Sequence, residues 1–313
     1  METTDLLEYL VIPTLYTIVV ILGLPLNLLS MWILSKKRKN SMSIYMINLT
    51  TAELLFLFCL PMKIGYHFNK KRWTLPEFMC HLYVILFFTN IYTTPMLLAA
   101  ISVDRYMAIV HPLKDSAWRK AKTASRACVL VWILTTIHIM PLNAVTMLNY
   151  VNETNGSQQM RAMCYEKFSE DDLQYLTTYR LYLFFSLFVT SLAITLFSYA
   201  NVLKALIAGR EQRSSANRMK KNRAAKMTLV GLIIYIVCLT PYNSTHIIGF
   251  IQSRTNGFYW QSLTLMRDIG FCLSALNTLF DPLIVYIASS TFRHSLKRMF
   301  RRLPPNKVSI IMT

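Results

Sequence analysis

Charge is scarce in this chain, and acidic charge is the scarcest. Only 15% of the 313 residues are charged, with 15 Asp and Glu against 33 Lys and Arg. Soluble domains carry about 25% charged residues, so the composition lies outside the ordinary soluble range. The N-terminus lacks the basic start and small-residue cleavage site of a secretory signal, which leaves the first apolar run to serve as its own insertion signal. No nucleophile–base pair and no metal-ligand spacing stands out, so nothing points to an enzyme. The chain also lacks the internal repeats and paired interrupted helices that an anion transporter needs.

What is abundant is apolar sequence, at 54% of positions. Crossing about 30 Å of hydrocarbon takes roughly 20 residues of helix. Runs of that length centre on residues 10–34, 42–66, 81–110, 126–148, 177–207, 224–252 and 262–287. The expected fold is therefore an all-α membrane protein, a seven-helix bundle over residues 1–288. Residues 289–313 read as an amphipathic cytoplasmic helix and short tail, with Phe292, Leu296, Met299 and Phe300 on one side. That tail has no cysteine for palmitoylation.

The net charge of +18 reads as topology rather than as affinity for nucleic acid. Of the 33 basic residues, 4 fall at Lys36 to Lys39, 6 from Arg105 to Arg126, 8 from Lys204 to Lys226 and 6 from Arg293 to Lys307. By the positive-inside rule these segments are cytoplasmic, facing anionic lipid, which places the N-terminus outside and the C-terminus inside. Cys59, Cys128, Cys238 and Cys272 fall inside apolar runs, as small buried hydrophobes do. Cys80 and Cys164 fall at outer edges, where an oxidising compartment permits a disulfide. Asn152 and Asn155 open glycosylation sequons in the same outer loop; Asn48 and Asn243 match the pattern inside helices, where it is inert.

Within Leu98 to Leu113 an acid, an arginine and a tyrosine, Asp104-Arg105-Tyr106, interrupt an apolar helix pattern. An ionisable group inside a membrane segment is costly and marks a functional site by default. The triplet lies 24 residues after Cys80 and is followed by the basic segment Lys114 to Lys122. Here the chain resembles the rhodopsin-like G-protein-coupled receptors. The resemblance implies a plasma-membrane receptor with heterotrimeric G proteins and arrestin as partners. Asp104, Arg105, Tyr106, Tyr199, Pro241, Asp281, Pro282 and Tyr286 would serve activation and coupling. Ligand binding would favour a state in which the sixth helix moves away from Arg105.

Four departures from the family pattern stand out. Ser191 falls where the fifth helix usually has proline, Leu239 replaces the usual tryptophan two residues before Pro241, and Tyr286 is displaced by one from its usual spacing. Glu53 takes the place of an aspartate that helps bind sodium. A sodium ion at Glu53, Asn277 and Asp281 is one reading; a protonated Glu53 hydrogen-bonded to Asn27, Asn277 or Asp281 is the other. No other cofactor is implied.

Arg180, His246 and Arg267 lie at comparable depth near the outer ends of three helices. His246 is five residues outward of Pro241, and Arg267 is 15 residues outward of Pro282, about 22 Å along a helix. Taken singly, either arginine could snorkel to lipid phosphate. Together, two guanidinium forks and an imidazole suit a small carboxylate. Cys164-Tyr165-Glu166-Lys167-Phe168, Tyr179-Arg180-Leu181, Pro241-Tyr242-Asn243-Ser244-Thr245-His246 and Arg267 resemble the short-chain free fatty acid receptors. That resemblance implies Arg180 and Arg267 on the ligand carboxylate, His246 hydrogen-bonding it and Tyr242 lining the pocket. Phe88 stands where those receptors tend to place a tyrosine, and Glu166 resembles the loop acid that can neutralise the arginines when the site is empty. Inhibitory and Gq-class G proteins follow by the same resemblance. The runner-up is a lysophospholipid or nucleotide receptor, sharing Ser43 to Leu49, in which Lys63, Lys70, Lys71 and Arg72 could serve a phosphate.

Overall fold

Hydrocarbon offers no hydrogen-bond partner, so each spanning segment must satisfy its backbone internally. Seven helices do so in the computed structural model, which describes residues 3–36, 40–111, 120–152, 160–208, 225, 226, 229–255 and 260–288. They are α1 (Leu7–Ser35), α2 (Ser41–Phe68), α3 (Glu77–Val110), α4 (Ala121–Ala144), α5 (Glu170–Ile207), α6 (Leu229–Thr255) and α7 (Leu263–Tyr286), all long and apolar enough to cross a membrane. Asn155 and the proposed tail helix lie outside the described residues, and Asn152 closes a strand. The helices close a ring: α1 packs on α2 and α7, α6 joins α5 to α7, and α3 contacts α2, α4 and α5.

Polarity is arranged inside out. Phe58 is 76% exposed on the outer wall, while Asn27, Glu53, Asn277 and Asp281 are at most 1% exposed inside. Of the three partners open to Glu53, Asn27 does not reach it: the Asn27 amide donates to the Thr278 carbonyl (2.8 Å) and to its own helix at Gly23 (2.9 Å). The α1–α7 seam is thus tied through a backbone carbonyl.

Helix ends follow local chemistry. The Asn40 side chain caps α2 by accepting from the Ser43 amide (2.8 Å). α5 begins seven residues before its apolar run, because Ser169 caps it by accepting from the Asp172 amide (3.1 Å) and Glu170, Asp171 and Asp172 complement the helix dipole. After α2, Lys70 and Lys71 take left-handed backbone angles (φ 52° and 58°), turning the chain back over the bundle.

The bundle carries one non-helical addition, an antiparallel hairpin of β1 (Leu148–Asn152) and β2 (Met160–Cys164) with Leu148 opposite Cys164. A disulfide joins Cys164 to Cys80 at the start of α3. The Trp73 amide donates to the Ala162 carbonyl and the Tyr165 amide to the Met147 carbonyl, both at 2.8 Å, which pins the hairpin on both sides.

Two widened, π-helical turns face each other, at Phe184–Val189 in α5 and Tyr235–Leu239 in α6. The second precedes Pro241, whose missing N–H and ring exclude a regular turn there. The first has no proline. Ser191 Oγ instead bonds the Leu187 and Phe188 carbonyls (2.5 and 3.0 Å) and meets Tyr235 Oη at 2.7 Å, while Tyr235 Oη donates to the Phe188 carbonyl at 2.6 Å. A side-chain pair thus satisfies the backbone that the bulge loosens.

α6 and α7 approach closely at Gly270, where a Cβ would stand 2.8 Å from Tyr242 Cα. Gly270→Ala should therefore force the helices apart and cost about 1–3 kcal/mol, read as a lower unfolding temperature of the purified protein; an unchanged temperature would refute this close packing. Serine at Cys80 or Cys164 should reduce surface expression by freeing the hairpin, measured by labelling of intact cells.

Candidate functional site

The Asp104 end comes first. Arg105 Nη2 pairs with Asp104 Oδ2, Tyr106 Oη meets His111 Nε2 at 3.0 Å, and the Tyr106 ring lies edge-on to Phe197 at 5.8 Å. Asp104 is buried at 6% exposure, with Oδ1 unpartnered. Tyr199 and Tyr286 are half-buried near this end of α5 and α7.

Midway along the bundle, Glu53 Oε1 accepts from Thr94 Oγ1 (2.9 Å) and from the Asn277 amide (3.1 Å), which also donates to Asp281 Oδ2 (3.2 Å). One amide bridges two carboxyl groups. Glu53 Oε2, Asn277 Oδ1 and Asp281 Oδ1 are buried oxygens with no hydrogen-bond partner.

At the hairpin end, the three expected anion-binding side chains turn inward rather than out to lipid. Arg180 is 4% exposed. Its Nε donates to Tyr165 Oη at 3.2 Å, and the guanidinium lies 4.7 Å from the Tyr165 ring centre and 5.9 Å from that of Phe168. His246 is 2% exposed, edge-on to Tyr242 at 5.2 Å, and neither ring nitrogen has a partner. It stands within electrostatic reach of both arginines. Arg267 Nε is likewise buried without a partner. Gly249 makes room for this guanidinium, since a Cβ there would lie 2.9 Å from Arg267 Nη2. Among the described residues, neither arginine has a carboxylate partner. Below them is an aromatic floor: Phe87 edge-on to Tyr242 at 5.2 Å, and Phe88, fully buried, edge-on to Tyr165 at 5.6 Å and stacked on Tyr92 at 6.2 Å.

Glu166 requires a correction. Its ion pairs run to Lys63 Nζ (3.8 Å) and Lys71 Nζ (3.5 Å), not to the arginines. The cause is the left-handed turn at Lys70 and Lys71, which sends Lys71 inward among Glu166, Asp268 (3.3 Å) and Glu8. Lys63 also reaches Asp268 at 4.0 Å. Burial works to lower the Lys71 pKa, but the carboxylates of Glu166, Asp268 and Glu8 hold it above the ordinary lysine value. Burial raises the Glu166 carboxyl above the usual range, against the pull of Lys71 and Lys63. A phosphate reading loses both lysines, whose charge is already matched.

Tyr165, Asp268 and Glu8 are the participants that sequence reasoning passed over. Tyr165 has left-handed backbone (φ 58°) directly after Cys164, which aims its ring under the hairpin. Its place between a half-cystine and an acid was the available signal.

The family described as 7 transmembrane receptor (rhodopsin family) matches residues 26–286. The chain is 30% identical to purinoceptor 8 of Gallus gallus, over 94% of its own length and 81% of that protein. It is also 30% identical to Free fatty acid receptor 3 of Mus musculus, over 93% and 86%, and 29% identical to Proteinase-activated receptor 1 of Xenopus laevis, over 89% and 64%. These are receptors, not enzymes. With seven spanning helices and a family match running from the first helix to the last, the chain belongs to the rhodopsin family of G-protein-coupled receptors.

Proposed function

We propose that this receptor responds to short-chain carboxylates bound between Arg180, His246 and Arg267. The carrying observation is that Arg180, His246 and Arg267 turn into the bundle, with Arg267 Nε and both His246 ring nitrogens buried and unpartnered, and that among the described residues neither arginine has a carboxylate partner. A buried donor left unbonded costs about 1–3 kcal/mol, which an anion would recover. Arg180 keeps Nε on Tyr165, leaving its two amino groups for a ligand. The buried rings of Phe88 and Tyr92 leave little depth for a long tail. The name of the mouse free fatty acid receptor among its relatives fits this chemistry.

In this reading the N-terminus and hairpin are extracellular, with Asn152 and Asn155 as glycosylation sites, and the Arg105 end faces the cytoplasm. Inhibitory and Gq-class G proteins and arrestin bind there when α6 moves away from Arg105, with Tyr199, Tyr286 and Pro282 framing the crevice. The widened turn before Pro241 is the place where α6 can bend. The three orphan oxygens of Glu53, Asn277 and Asp281 would hold a sodium ion, as an all-oxygen donor set suits a hard cation.

Two tests follow. Removing one partner of a desolvated charge pair costs about 2–5 kcal/mol, roughly 30-fold to several-thousandfold in affinity. Arg180→Ala and Arg267→Ala should each nearly silence propionate in calcium and cyclic-AMP assays corrected for surface expression. Either Arg→Lys change should also weaken it, because lysine keeps charge but loses the bidentate fork; wild-type potency in both lysine variants, or a preference for lysophosphatidate over propionate, would sink the reading. Arg105→Ala should abolish G-protein activation while propionate binding persists, and the reverse pattern would invert the assigned topology.

A further inference from the structure

One residue away from each half of the anion site lies a second set of charges that the site does not use. Glu166 follows Tyr165, the partner of Arg180, and Asp268 follows Arg267. Lysines hold both: Lys71 Nζ lies 3.5 Å from Glu166 and 3.3 Å from Asp268, and Lys63 Nζ lies 3.8 Å and 4.0 Å from the same two. Glu8 from α1 completes the cluster on Lys71. The lysine, Glu166 and Asp268 side chains are between 6% and 15% exposed, so solvent does little to screen them.

The charge balance is informative. Three carboxylates against two lysines leave the cluster one negative charge, and Arg180 and Arg267 add two positive ones. The two histidines nearby add none. His67 Nδ1 meets the Glu8 carbonyl at 3.0 Å, and since that oxygen only accepts, Nδ1 carries the proton while Nε2 is buried without a partner. His246 lies between two cations, beside which a third positive charge is unfavourable. These seven buried or half-buried side chains, Glu8, Glu166, Asp268, Lys63, Lys71, Arg180 and Arg267, therefore sum to one uncompensated positive charge under the hairpin. Buried net charge is costly, and one monovalent anion cancels it. A dianion would overshoot.

We infer that Lys63 and Lys71 set the specificity of the site without touching the ligand: by holding Glu166 and Asp268 they keep both arginines open for one singly charged anion. This inference rests on the carboxylate reading of the arginines. Lys71 is the sharper test, since its side chain meets three carboxylates.

The experiment measures propionate binding to the purified receptor by saturation-transfer NMR, alongside surface-corrected dose–response curves. Lys71→Met removes the surplus positive charge and releases two acids toward the arginines, so propionate potency should fall at least about tenfold, within the range of measured couplings between sites. Lys71→Arg should keep wild-type potency. The decisive variant is Lys71→Met combined with Asp268→Asn, which restores the single surplus charge and should bring propionate back to within about threefold of wild type. Glu166→Gln alone leaves two surplus charges and should shift preference from propionate toward malonate. Wild-type potency in Lys71→Met, with Arg180→Ala silent, would overturn the inference and leave the arginine site standing. A loss in Lys71→Met that Asp268→Asn fails to rescue would also overturn it, reducing the lysine to a structural prop. Full propionate binding in both Arg→Ala variants would remove the carboxylate reading itself, and this inference with it.

Discussion

A polar atom inside a bundle that faces hydrocarbon has only other protein atoms to bond, and much of this architecture answers that constraint. Backbone groups are met first within each helix. Where a helix departs from regularity, a side chain steps in, as Ser191 and Tyr235 do across the facing bulges of α5 and α6. The seams use the same device: Asn27 bonds a carbonyl of α7, and Trp132 Nε1 on α4 donates to Asn48 Oδ1 on α2 at 2.9 Å. The side chain of a nominal sequon residue thus serves as a brace between two helices.

Charge is treated in two contrasting ways. Lys63, Lys71, Glu8, Glu166 and Asp268 satisfy one another across α1, α2, α7 and the two segments that cover the bundle. Arg180 lies over the Tyr165 and Phe168 rings and His246 edge-on to Tyr242, and among the described residues neither Arg180 nor Arg267 has a counter-ion. A cation over an aromatic ring is stabilised more weakly than one paired with a carboxylate. The site is held in place without being neutralised, a condition suited to receiving a charge.

What was legible in the sequence depended on whether the signal was local. The spans were readable because hydropathy is, and they failed where a polar turn continues a helix, as Glu170 to Leu176 extends α5 ahead of its apolar run. Asp104-Arg105-Tyr106 and the two arginines announced themselves as charges in apolar surroundings. The disulfide followed from position. The hairpin escaped because its five-residue strands carry little periodicity and draw their support from each other, from Trp73 and from Cys80. The partners of Glu166 and Asn27 escaped for a different reason. Contacts such as Glu166 with Lys71, or Asn27 with Thr278, join residues far apart in the chain, and which of several nearby polar groups wins is settled by backbone angles, here the two left-handed lysines, that composition does not reveal.

The disulfide gives helix α3 a mechanical character. Cys80 ties the hairpin to its first turn and Arg105 lies 25 residues further on, about 37 Å along the same axis. Tyr165, which holds Arg180, is the residue next to the half-cystine. That tyrosine is therefore anchored beside one end of a helix whose other end carries the Asp104–Arg105 pair. Between the two ends the helix runs unbroken from Glu77 to Val110, and only Pro95 removes a backbone donor on the way, so the covalent anchor of the hairpin and that ion pair belong to one continuous element.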